Sequence, residues 1–172
     1  MNVTTLTLLV LTPFLVWRIY SRLRTAMARQ RSIVSRHYTG LFVFAAMVLV
    51  PASELFSRPA MLGWLALGTA AGIGYGVWGL KQTRHEETEE GYYFTPPARL
   101  GILIAMLFTA RVLYVGFELY ANQGSNVPMP RFTDSMVSML AVGLTGGYFG
   151  TISAGLALWR YRIRKAIDKA AP

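Results

Sequence analysis

The chain has 172 residues, 53% of them hydrophobic and 15% charged, with a formal net charge of +9 and no cysteine. A soluble domain usually carries about a quarter charged residues; here the charges bunch at 18–36, 81–99 and 160–169 and leave the stretches between almost free of them. That distribution excludes an ordinary soluble domain, the missing cysteines exclude disulfides and thiol chemistry, and positive charge beside apolar stretches suits anionic headgroups rather than nucleic acid.

Taken in chain order, the apolar stretches predict five membrane spans, each long enough to cross ~30 Å of hydrocarbon at ~1.5 Å per residue. The first covers 2–20 and contains Pro13. Its start, "MNVTT", has no Lys or Arg, and its basic cluster follows the apolar run, so it reads as a retained span and not as a signal peptide. The second covers 38–57 and the third 60–80; the "SRP" between them is so short that the two form an antiparallel hairpin. The polar segment "KQTRHEETEEGYYFTPPAR" follows. Its "EEG" separates two short runs and predicts a small β-hairpin, stopped by "TPP" before the fourth span at 99–121. "ANQGSNVPMPRF" reads as an irregular loop, and the fifth span covers 134–159. The expected fold is therefore all-α: one integral membrane domain, 1–172, a polytopic bundle of about five transmembrane helices with a small cytoplasmic hairpin.

Charge orients the bundle. Fourteen Lys and Arg fall in three segments that five crossings place on one side, against Arg58 and Arg131 on the other. By the positive-inside rule the rich side is the cytoplasm, the amino terminus is outside and the carboxyl terminus inside. The expected setting is a bacterial inner membrane, with anionic headgroups meeting the basic face.

Arg111 interrupts "GILIAMLFTARVLYVGFELY" near its middle, about 12 residues and ~18 Å from Arg99, too far to snorkel to the inner surface. A central arginine costs roughly 2.5–3.5 kcal/mol on insertion scales and so faces the bundle interior and acceptors. Glu118 lies two turns on and on the same face, Glu54 ends the second span, and Tyr114 is one turn away. These four residues form the candidate intramembrane polar site: either a buried ion pair that fixes packing or a ligand or proton site.

Gly68, Gly72 and Gly76 in the third span, and Gly143, Gly147 and Gly150 in the fifth, recur at spacings of three or four that let helix backbones approach. His85 with Glu86, Glu87, Glu89 and Glu90 has no ligand spacing. It reads as a solvated acidic face able to pair with the basic loop 22–36. His37 and His85 could bracket a haem only by position, and no catalytic motif emerges, so no metal, cofactor or enzyme activity is expected.

"LKQTRHEETEEGYYFTPPARLGILIAMLFTARVLY", with "VLVPASELF" and "ALWRYRIRK", resembles the CcdC-like family of small bacterial membrane proteins over roughly 35–165. The resemblance implies a polar hairpin leading into a span with an intramembrane arginine, which falls on Arg111, and an association with cytochrome c maturation. The function expected is that of a non-enzymatic assembly, regulatory or scaffold membrane protein, with a membrane-protein partner or a second copy. The alternative is a small transporter or ligand-binding protein that uses the Arg/Glu site.

Overall fold

The computed structural model describes residues 3–122 and 131–170. It has five long helices: α1 (Val3–Ala26), α2 (Val34–Glu54), α3 (Pro59–Gln82), α4 (Ala98–Ala121) and α5 (Met136–Ala170). Four segments are long and apolar enough to cross a membrane: Val34–Ser57, Pro59–Gln82, Ala98–Ala121 and Met136–Lys169. The expected loop at 121–132 falls largely on residues 123–130, outside those described.

α5 is the centre of the bundle. α3, α2 and α4 all pack on it, whereas α2 and α3 barely touch each other and α1 rests on α4. The short turn at 55–58 joins α2 and α3 as consecutive antiparallel helices, and α5 packs against both of them. The cause lies in two glycine faces on α5. A Cβ on Gly147 would sit 2.5 Å from the Thr69 carbonyl oxygen, and one on Gly143 2.7 Å from the Thr69 nitrogen, so backbone lies against backbone with α3. Gly68 and Gly72 answer them from α3 against Leu140 and Leu144. Gly146 faces Val48 of α2, and Gly150 stands at ordinary contact, 3.7 Å, from the Phe44 Cβ. Gly76 meets Thr151. Phe44 then stacks on Phe149 at 5.2 Å.

Two apolar clusters divide the interior. One joins Phe94, Ile104, Tyr148, Ile152 and Leu156 near the sheet; the other joins Leu55, Leu65, Met139 and Val142 at the opposite end. Outside them the surface is apolar: Phe42 is 75% exposed, Leu49 66%, Phe117 59% and Trp78 53%. Soluble monomers rarely leave so much hydrocarbon facing water.

The polar segment folds as predicted, with one strand more. β2 (Arg84–Thr88) and β3 (Gly91–Thr95) form the hairpin, and β1 (Gln30–Arg31) adds to the other edge of β3, giving a three-stranded antiparallel sheet ordered β1-β3-β2. Thr88 pairs with Gly91 across the two-residue turn, where Gly91 takes φ +135°, open to glycine and strained for other residues. Tyr92 and Phe94 turn one way and Tyr93 the other, the period of two that a strand imposes. Phe94 is buried, and on the outer face Arg29 bonds Glu86 at 2.8 Å and lies over Tyr93 at 4.1 Å. The acidic run thus does pair with the basic loop. α5 also runs on through the basic tail to Ala170, because "RYRIRKAIDKA" holds good helix formers and cations suited to a helix carboxyl end.

Candidate functional site

Arg111 sits about 20 Å into α4 from Ala98. The start of α5 runs beside it. Ser135 precedes α5, its carbonyl accepting the Met139 N–H at 3.0 Å, and Ser138 lies in the first turn. Three residues apart, the two hydroxyls share a helix face. Arg111 Nε donates to Ser138 Oγ at 2.9 Å and Nη2 donates to Ser135 Oγ at 2.7 Å. One turn along α4, the Tyr114 ring lies 5.1 Å from Arg111 Cζ, within cation–π range. Ser138 is fully buried, beside Met139 at 0% and near Leu65 at 1% exposure.

The magnitudes suit this arrangement. Hydrogen bonds to a charged group contribute about 1.5–3 kcal/mol each, and a cation–π contact about 0.5–2 kcal/mol. Together, about 3.5–8 kcal/mol, they cover the roughly 2.5–3.5 kcal/mol that insertion scales assign to a central arginine. No neighbouring carboxylate is required.

The carboxylates expected to hold Arg111 do not. Among the described residues the ion pairs are Arg29–Glu86 and Arg58–Asp134, and neither Glu118 nor Glu54 is bridged to Arg111. The reason is distance and neighbourhood. Glu118 shares the face but lies about 10 Å further along the axis, half-buried near the end of α4. Glu54 is exposed at the end of α2, which packs chiefly on α5. The structure therefore brings together Arg111 and Tyr114, leaves Glu118 and Glu54 apart, and adds Ser135 and Ser138. A visible signal for the serines was the polar i, i+3 pair in the otherwise apolar "SMVSML". At the same end, Arg58 Nη1 donates to Asp134 Oδ1, tying the start of α3 to the residues just before α5.

The histidines lie at the sheet end and have partners of their own. His37 is buried, its Nε2 2.8 Å from Ser32 Oγ and its ring edge-on to Phe94 at 5.4 Å. This Ser–His contact fastens the residue just after β1 to α2, a junction the sequence did not disclose. His85 packs on Trp159 at 4.5 Å. The ring is largely exposed, and its partial desolvation lowers its pKa below the ordinary imidazole value, with a backbone hydrogen bond at Thr83 pulling the other way. No family model, no curated protein and no solved structure matches the chain.

Proposed function

We propose that the chain is a multi-pass protein of a bacterial inner membrane that acts without catalysis, as an assembly, regulatory or scaffold component. In this reading α1 joins the four apolar segments as a fifth span, with the amino terminus outside and the carboxyl terminus in the cytoplasm. The observation that carries it is the engagement of Arg111: its guanidinium is taken up by Ser138 of α5 and by Ser135 just before that helix, a packing role. The exposed apolar helix faces support the membrane setting. Basic residues also gather at the sheet end, where Arg29, Arg31 and Arg160 all meet β3. The residues quoted above favour a place among CcdC-like proteins.

A second reading, a small transporter or ligand-binding protein, draws on one feature. Arg111 is only part-buried and has hydroxyl partners, so its charge stays un-neutralised and open to an anion. Purification from native membranes should return the same membrane proteins with wild type and with Arg111→Met. Anion uptake into proteoliposomes by wild type, lost in Arg111→Met, would replace the first reading with the second.

A further inference from the structure

At the sheet end, α5 and the first turn of α2 enclose a cleft of about 390 Å³ with Tyr92 of β3 in its wall. Arg160 lies in that wall, its Cζ 4.0 Å from the centroid of the Tyr92 ring. Its Nε and Nη1 are buried and have no hydrogen-bond partner among the described residues. Stacking compensates the charge of a guanidinium but leaves these donors unsatisfied. Arg164, one turn further along α5, and Tyr38 of α2 line the same cleft.

A second source of positive potential borders it. Val34, the first residue of α2, is in the wall, and the residue before it, Ile33, makes no side-chain cap. The amino-terminal end of that helix is therefore left with uncapped N–H groups and the positive end of its dipole. Acidic groups are few. Asp168 lines the cleft and Glu87 stands opposite Tyr92 in the hairpin register, but neither forms an ion pair with Arg160 among the described residues. The remaining wall is apolar, with Ile163 and Ile167 on α5.

A guanidinium whose Nε and Nη1 are unpaired but shielded, and so reached only as the side chain turns toward the cleft, joins a second arginine, a helix amino terminus and a hydrocarbon wall, a set that suits one kind of ligand. We propose that this cleft binds the phosphate group of an anionic amphiphile, Arg160 and Arg164 meeting the phosphate and Ile163 and Ile167 the apolar part. That amphiphile is a membrane phosphodiester lipid; free phosphate, which presents the same oxygens to a planar guanidinium but has no part for the apolar wall, is the competing source that the test separates. The proposal rests on the membrane reading, which sets this cleft at the cytoplasmic headgroup level.

The test uses the full chain in lipid nanodiscs of phosphatidylcholine, of phosphatidylcholine with phosphatidylglycerol, and of phosphatidylcholine with added inorganic phosphate. Melting temperature is read for wild type, Arg160→Gln, Arg160→Lys and Arg162→Gln. Arg162 is exposed and outside the cleft, so it controls for diffuse surface charge. Phosphatidylglycerol should raise the melting temperature of wild type and Arg162→Gln alike. Arg160→Gln should lose most of that rise, and Arg160→Lys should keep part of it. A rise produced by inorganic phosphate alone would identify free phosphate as the source. Equal responses of Arg160→Gln and Arg162→Gln, or no rise with either probe, would overturn the site. Should Arg160→Gln not fold, native mass spectrometry of wild type decides: one phosphatidylglycerol retained in preference to phosphatidylcholine supports the site, and equal retention overturns it. A chain that will not enter phosphatidylcholine discs sinks the membrane reading instead, and inorganic phosphate on the detergent-solubilised protein then decides the site alone.

Discussion

Arg111 bonds Ser138, a residue with no exposed surface, and this makes its energetics readable. Ser138→Ala removes an acceptor from a charged donor and should destabilise the detergent-solubilised protein by about 1.5–3 kcal/mol. Arg111→Met combined with Ser138→Ala should be less destabilised than Ser138→Ala alone, because no charge is then left short of acceptors. Glu118→Gln and Glu54→Gln should leave the melting temperature unchanged, and a drop for either would restore a carboxylate to the site. Arg111 was legible in the sequence because a guanidinium breaks an apolar run. Its partners were not, since the pairing is made between helices, and sequence distance favoured Glu118 on the same helix. Arg160 was equally hidden: it read as one interfacial cation in a basic tail, and only the sheet packing sets it against Tyr92.

The contact between α3 and α5 tests packing at the scale of the element. Gly72→Leu or Gly147→Leu must push backbone from backbone, since even a Cβ at either position collides with the facing helix. Each should destabilise by at least about 1–3 kcal/mol, the usual cost of overpacking. Gly74→Leu is the matched control, because a Cβ there meets nothing within 4 Å. A similar loss in Gly74→Leu would mean the cost comes from somewhere other than this contact. The hairpin yields a pH prediction. His85 has a lowered pKa in the folded chain, so folding favours its neutral ring. The contribution is present above the unfolded pKa of about 6.5 and is lost as pH falls through the lower folded value. Trp159 fluorescence should therefore report loosening of the hairpin on acidification, and His85→Phe should abolish that response. The helices and the hairpin were legible from hydropathy and from "EEG". β1 was not: two residues carry no alternation to read, and their strand exists only because β3 offers an open edge.

At the scale of the whole molecule, charge and fold make a joint statement. The basic segments gather at the sheet end, and the Arg58–Asp134 pair marks the other. Reporter fusions after Gln123 and after Lys169 should report opposite sides of the membrane, the second in the cytoplasm. The same side for both would remove one of the five proposed spans. The five helices could be counted from the sequence, four of their segments being long and apolar enough to cross a membrane, but their arrangement could not. Glycine spacing says that a helix has a close neighbour without saying which one, and α5 turned out to have two.

The central position of α5 has a consequence for how the protein is made. Synthesis runs from the amino terminus, so α2, α3 and α4 leave the ribosome before the helix that each of them packs against. Until α5 arrives, the glycine faces of α3 have no backbone to meet, and Arg111 lacks both of its serines. Without α5 the earlier helices share only the α1–α4 and slight α2–α3 contacts, and Arg111 has an unsatisfied charge. Docking of α5 should therefore come late and bring the other three helices together. A chain stopped at residue 134 should accordingly be degraded rather than accumulate as a smaller bundle.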